Sequence, residues 1–233
     1  MTIIVVARHA QSEHHINGLT GGWTDTGLTD LGRRQAASLA MRLKAELDGI
    51  PCRLFTSDLQ RAAQTAGFIS EALNLEPQVV PSLREYNNGI AAGRTVAEAE
   101  QLQLAPAEPF VDWRPYPGAE TWREFYQRVA GWMETLPLTD DEVPILVSHG
   151  GAIKQIVTWW LGIDIDCSQG AAFDTATASI TVLRINSWGE RALERLNDTA
   201  HLYADDLAGT TPLIKRLAND PFNALFRRPQ DDA

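Results

Sequence analysis

The sequence predicts an α/β fold: a three-layer sandwich with a mainly parallel central sheet, helices on both faces and a small cap insertion. Three observations lead there. The apolar run Ile3-Ile4-Val5-Val6-Ala7 ends in Arg8-His9, a second run, Pro144-Ile145-Leu146-Val147, ends in Ser148-His149-Gly150-Gly151, and amphipathic helical stretches alternate with short apolar runs between the two. Runs of this length bounded by glycine and polar residues read as buried strands of a parallel sheet. In open α/β sheets, ligands collect in the crevice beyond the carboxyl ends of the strands. His9 and His149, 140 positions apart, are therefore expected to point into one crevice, and the arginine before the first suggests a site for an anion.

Strand 1 is expected over about Thr2–Ala7, followed by a loop to Thr29 that is too polar for a core element. At about 20 residues it exceeds the usual connection in α/β units, and loops of that length are commonly functional. Thr29 or Asp30 can cap an amphipathic helix, whose Ala36, Leu39, Ala40, Leu43 and Leu47 recur at helical spacing before the Gly49–Pro51 stop. Strand 2 follows at about Cys52–Thr56. Ser57 or Asp58 then caps a helix through Leu73, and Gln78–Val80 is a short strand leading towards Glu85. Residues 87–118 break the alternation: Asn87-Asn88-Gly89 signals a turn, Val96–Leu104 a short helix, and Pro106–Pro117 holds four prolines. This stretch reads as an insertion covering the crevice. A helix over Glu120–Leu136, the His149 strand and a helix over Ala152–Leu161 restore the pattern. Ser179–Ile185 and Arg191–Leu196, joined around Asn186-Ser187-Trp188-Gly189, read as a hairpin. Beyond His201 the pattern fades, so one catalytic domain over 1–205, with its insertion at about 87–118, and a loose tail over 206–233 are expected.

Composition narrows the function classes. With 44% hydrophobic and 21% charged residues, the chain has ordinary globular composition. A formal charge of −10 argues against nonspecific binding to nucleic acid or an anionic membrane. No apolar stretch approaches the roughly 18 or more residues of a membrane span. The start, Met1-Thr2-Ile3, lacks the basic region of a secretory signal. Two cysteines, Cys52 and Cys167, make no disulfide framework; a cytoplasmic location is expected. An acidic chain that binds an anion must concentrate positive charge locally, and Arg8, Arg61 and the two histidines can supply it.

Arg8-His9-Ala10-Gln11-Ser12 resembles the Arg-His-Gly-Glu-Ser/Thr signature of the histidine phosphatase superfamily, which includes the cofactor-dependent phosphoglycerate mutases. The resemblance continues, in family order, through Gly22-Trp23-Thr24-Asp25, Leu28–Ala36, Thr56–Ala66, Leu83-Arg84-Glu85, Pro117–Thr121, Ser148–Gly151 and Leu196–Leu202. It implies a phosphohistidine intermediate at His9. Phosphoryl transfer needs a nucleophile, positive charge on the equatorial oxygens and a proton for the leaving oxygen. A neutral imidazole suits the first task when its other ring nitrogen is held by a backbone carbonyl. Arg8 and Arg61 suit the second, because a guanidinium matches phosphate bidentately; His149 would donate to a phosphate oxygen, and Glu85 would serve as general acid. No metal and no cofactor is needed in this scheme. His9, His14 and His15 fit no recognised ligand motif.

The departures from the pattern matter as much. Ala10 stands for the usual glycine and Gln11 for the glutamate. His15 falls where the family usually has an asparagine near the phosphate; Asn17 takes that role if the loop shifts by two. Gly21-Gly22 falls where mutase-like members have Thr-Gly contacting substrate, leaving a roomier or floppier spot. Glu85-Tyr86-Asn87-Asn88-Gly89 lacks the basic pair of the mutases' Glu-Arg-His-Tyr-Gly. A mutase must hold a bisphosphate while it reorients, so the missing pair favours a metal-independent phosphatase acting on small phosphorylated metabolites. A mutase-type phosphotransferase and a non-catalytic phospho-ligand-binding protein are the rivals. Arg84 and Arg94 either read a second substrate charge or face water, and Trp113, Tyr116 and Trp122 either touch an organic group or pack the cap. Oligomeric state is undetermined by the sequence.

Overall fold

The computed structural model describes residues 2–208; the expectation of a loose tail falls mostly on 209–233, outside the described residues. Six strands form one sheet: β1 (Ile3–Arg8), β2 (Cys52–Thr56), β3 (Pro77–Val79), β4 (Val143–Ser148), β5 (Ile180–Ile185) and β6 (Arg191–Asp198), in the order β3-β2-β4-β1-β5-β6. The first four are parallel, and β5 and β6 add an antiparallel hairpin on the β1 side. β4 is buried along its whole length, as a central strand covered on both faces must be.

Strand side chains alternate between two cores. Ile4, Val6, Leu146 and Leu183 pack with Phe125, Val129, Ile153 and Ile156, from helices α4 (Trp122–Thr135) and α5 (Gly150–Trp160). Val5, Ala7, Ile145 and Val147 face the other way, onto α1 (Asp30–Glu46), α2 (Gln60–Leu73) and the short α6 (Ala200–Ala204). Each fully buried Leu, Ile or Phe among them contributes about 1.5–3 kcal/mol. The remaining helix, α3 (Val96–Leu102), lies within residues 87–118. That segment is tied back to the body by bridges Leu19–Thr95 and Asn88–Ala119. Trp113 and Tyr116 are buried and Trp122 stacks on Tyr86 at 4.8 Å, so these aromatics pack the insertion onto the core. Among the described residues, no helix is long and apolar enough to cross a membrane. Both cysteines are free.

Most element boundaries lie within two residues of expectation, but one shift has chemical meaning. Neither Ser57 nor Asp58 is the residue before α2; the helix opens at Gln60 with Leu59 preceding it. Asp25, from the long loop, accepts the Gln60 N–H at 2.7 Å. This frees Ser57 and Asp58 for other partners. α4 starts at Trp122 because Thr121 and Glu124 close a reciprocal capping box.

Candidate functional site

β1 and β4 are neighbours in parallel register, with Arg8 opposite Ser148. The residue after each strand is a histidine, and the His9 N–H donates to Ser148 O at 2.9 Å. The two imidazole centroids lie 5.0 Å apart. β2, on the far side of β4, delivers Ser57 and the first turn of α2 with Arg61. The strand ends therefore converge as the apolar pattern predicts.

Two hydrogen bonds fix the tautomer of His9. Its Nδ1 lies 2.8 Å from Ala10 O, and a carbonyl only accepts, so Nδ1 carries the proton. The Arg61 Nε–H donates to Nε2 at 3.1 Å, which requires a lone pair there. His9 is buried, and desolvation first, then the charges of Arg61 and Arg8 and the neighbouring His149, hold its pKa well below the usual histidine value. The side chain is a neutral imidazole with a nucleophilic Nε2.

Arg61, 1% exposed, donates from Nη1 to Thr24 O at 2.7 Å and from Nη2 to Gly22 O at 2.8 Å. Burial pulls its pKa down to about 10, with Glu85 and Asp25 opposing the shift, so it stays cationic at neutral pH. Arg8 donates from Nη1 to Thr175 O and rests against the start of α5, where a side chain on Gly150 would press on its guanidinium. His149 is fully buried, with Nε2 2.9 Å from Ser57 Oγ and no hydrogen bond on Nδ1. Desolvation, then Arg61 and Arg8, also hold its pKa far below the ordinary value. Glu85 accepts the Tyr86 N–H on Oε1 and the Gly151 N–H on Oε2, both at 2.9 Å.

The long loop supplies the rest. A 3-10 turn, Glu13–His15, places the His15 ring 5.6 Å from that of His9 and 3.9 Å from that of His14. His15 Nδ1 lies 3.1 Å from Ser12 N and 3.2 Å from Ser12 O, which holds the ring within the turn. Desolvation first, then the charges of Arg8 and Arg61, hold the His15 pKa below its ordinary value. His15 thus sits beside His9, whereas Asn17 lies past the turn, both of them exposed. Among the described residues, no group of three or more His, Cys, Asp or Glu is arranged to hold a metal ion.

Two expectations change on contact with the geometry, and one open question closes. Gly22 is neither roomy nor floppy: it has φ +59°, and a Cβ there would overlap the Asn88 amide and Tyr86 O, so only glycine fits. Gly21 is less crowded, near the His14 ring. Arg84 is not free for a second substrate charge, since it pairs through Nε and Nη2 with Asp58 and lies 4.5 Å from the Trp23 ring centroid. Ala10 does not need to be glycine; its φ is not positive, and its N–H donates to Thr65 Oγ1 at 3.1 Å.

Sequence reasoning missed Ser57 as partner of His149, Gly151 as partner of Glu85, and Asn88, which it read only as a turn residue. The carboxylate–glycine contact had no local signal. The position of Ser57 did: a hydroxyl one residue past a parallel strand faces the same crevice as the histidines.

Together the groups bring a neutral imidazole, cationic charge, a second buried imidazole and a carboxylate around one cleft. The chain is also similar to known proteins. A family model described as histidine phosphatase superfamily (branch 1) matches residues 4–199. Phosphoserine phosphatase 1 of Hydrogenobacter thermophilus is 30% identical over 210 residues, covering 87% of this chain and 95% of that protein. A protein of Cronobacter sakazakii named probable phosphoglycerate mutase GpmB is 30% identical over 216 residues, covering 89% and 98%. The structure of mycobacterial glucosyl-3-phosphoglycerate phosphatase in complex with VO3 superposes with a TM-score of 0.72 at 26% identity, covering 85% of this chain and all of that one.

Proposed function

The chain belongs to branch 1 of the histidine phosphatase superfamily, and on that premise we propose that it hydrolyses phosphate monoesters of small molecules through a phosphohistidine at His9. The observation that carries the reading is the fixed tautomer of His9, with Nδ1–H on Ala10 O and the Nε2 lone pair facing Arg61. Nε2 attacks phosphorus while the bond from phosphorus to the leaving oxygen breaks, and Glu85 gives that oxygen a proton. Arg8, Arg61, His149 and His15 hold the three equatorial oxygens, where an arginine can be worth roughly 10³–10⁵ in rate. Water then attacks the phosphohistidine, Glu85 takes its proton, and inorganic phosphate and neutral His9 are regenerated.

Hydrolysis is favoured over mutase chemistry by the surroundings of Glu85. In place of a basic pair stand Tyr86, which is buried and donates to Glu120 O at 2.6 Å, and Asn87, which accepts the Gly89 N–H at 2.9 Å. The nearby cations are committed as well: Arg84 to Asp58, and Arg128 to Glu120 and to the carbonyls of Ser82, Arg84 and Glu85. Neither of these two arginines is spare for a second phosphate. The test is hydrolysis of p-nitrophenyl phosphate in EDTA by the wild type and His9→Ala. Loss of turnover in the variant is expected, and equal turnover would remove His9 as the nucleophile. Isomerisation of 3-phosphoglycerate primed with 2,3-bisphosphoglycerate, at a rate above hydrolysis, would turn the reading to the mutase.

A further inference from the structure

Arg61 is only as well placed as the loop that holds it. Both of its Nη atoms bond backbone carbonyls of that loop, Gly22 O and Thr24 O. The loop in turn is gripped by one side chain from the 87–118 segment. Asn88, 6% exposed, accepts the Trp23 N–H on Oδ1 at 2.9 Å and donates from Nδ2 to Thr20 Oγ1 at 3.3 Å and Gly21 O at 3.4 Å. Gly22 lies flat against the same amide, in a conformation that leaves no room for a side chain. Thr20 Oγ1 passes the contact on to Ala91 O at 2.6 Å, and Thr24 is fastened independently of Asn88, with the Gly93 N–H donating to Thr24 Oγ1 at 2.8 Å.

We propose that Asn88 is a positioning residue for phosphoryl transfer: its amide sets the carbonyls that aim the Arg61 guanidinium at the phosphate bound beside His9. Asn88 does not touch the reacting atoms, because its carboxamide oxygen and nitrogen are already engaged by the loop. Its position three residues after Glu85 means that one short segment carries both the general acid and the brace for the arginine clamp. The chemistry explains why the residue is an amide. Holding the loop requires one acceptor for the Trp23 N–H and two donors for Thr20 and Gly21, and of the short side chains only asparagine presents both at one carbon.

The inference rests on the phosphatase reading, and a double-mutant cycle separates the two. kcat/KM for p-nitrophenyl phosphate and calorimetric binding of orthovanadate are measured for the wild type, Asn88→Ala, Arg61→Met and the double variant. Misplacing a catalytic group by about 1 Å can cost 10²-fold, so Asn88→Ala is expected to lose about 30–100-fold in kcat/KM. In the Arg61→Met background the same change should cost less than about twofold, because the group it aims is gone. Vanadate affinity should follow the same non-additive pattern. Equal losses in both backgrounds would overturn the proposal and leave Asn88 a structural residue. Should Asn88→Ala fail to fold, Asn88→Asp keeps the shape and the acceptor while removing both donors. It is expected to lose about tenfold, again only when Arg61 is present. Wild-type turnover and vanadate binding in Arg61→Met would instead overturn the role of Arg61 in the phosphatase reading, and the Asn88 proposal with it.

Discussion

The backbone N–H of Gly151 donates to Glu85 Oε2 at 2.9 Å, and the other carboxylate oxygen fills the space in which a Gly151 side chain would have to sit. The carboxylate proposed as general acid is therefore seated on the first turn of α5, one residue beyond the helix-opening Gly150. Phe125 closes the same space from α4, so Glu85 cannot simply slide aside.

Gly151→Ala should accordingly displace Glu85 and lower kcat/KM by about 10²-fold, while the helix itself gains about 1 kcal/mol from the better helix former against a crowding cost of about 1–3 kcal/mol. Turnover of p-nitrophenyl phosphate together with the urea midpoint checks this. Full activity in the variant would mean that Glu85 does not work from this seat.

Stability should fall on the acid side of neutrality. His9, His14, His149 and His201 are buried, and desolvation is the first cause holding each below its usual pKa of 6.5, His14 down to about 2. In the unfolded chain these rings titrate near 6.5, so below that value the unfolded state binds more protons than the folded one. The stabilisation is complete above about pH 6.5 and is lost as pH drops below it, by up to about 1.4 kcal/mol per pH unit for each ring. Urea midpoints at pH 7.5, 6.5 and 5.5 give the slope. A flat profile across that range would contradict the buried neutral rings.

The Arg84 guanidinium is paired with Asp58. The Arg84 guanidinium beside Asp58 holds its carboxyl below the usual aspartate value, so both partners are charged at neutral pH. Asp58→Asn should free Arg84 and lower KM for O-phosphoserine by about 3–10-fold relative to p-nitrophenyl phosphate, with the effect shrinking in high salt. Because the pair is partly exposed, stability should change by no more than about 1 kcal/mol. An unchanged KM ratio would show that Arg84 does not face the bound substrate.

Ala10→Gly, which would restore the usual glycine after the histidine, is expected to cost about 0.5–1 kcal/mol and to bring no gain in turnover. The position does not have a positive φ, so glycine brings only unfolded-state entropy. A thermal scan with a parallel activity assay decides it; a faster variant would mean that the alanine methyl crowds the nucleophile.

What the sequence made legible follows from which interactions are periodic. Apolar runs ending in His9 and His149 reveal parallel strands because a strand covered on both faces must be apolar throughout, and the crevice at their carboxyl ends follows from the fold class. Arg61 was readable as well, since a helix after β2 has to begin beside that crevice. The start of α2 was not, because its first free amide is met by Asp25, 35 positions upstream. His15 and Asn17 could not be told apart by counting; the 3-10 turn at Glu13–His15 decides which faces His9. Asn88 was hidden for a related reason, as an asparagine before glycine carries the same local signal whether its amide faces water or braces a loop.

The sheet order places β4 between β1 and β2, and this has a consequence for how the protein comes into being. β1 and β2 are among the first segments synthesised, yet neither pairs with the other; a strand that begins at Val143 must slot between them. Until it arrives, His9 and Arg61 stand on opposite sides of an open gap, and the Gly151 amide that seats Glu85 does not yet exist. Closing so long a stretch of chain is entropically slow. If the proposed hydrolysis holds, turnover is a readout of assembly: a ribosome-bound chain that has not yet released the His149 strand should hydrolyse nothing.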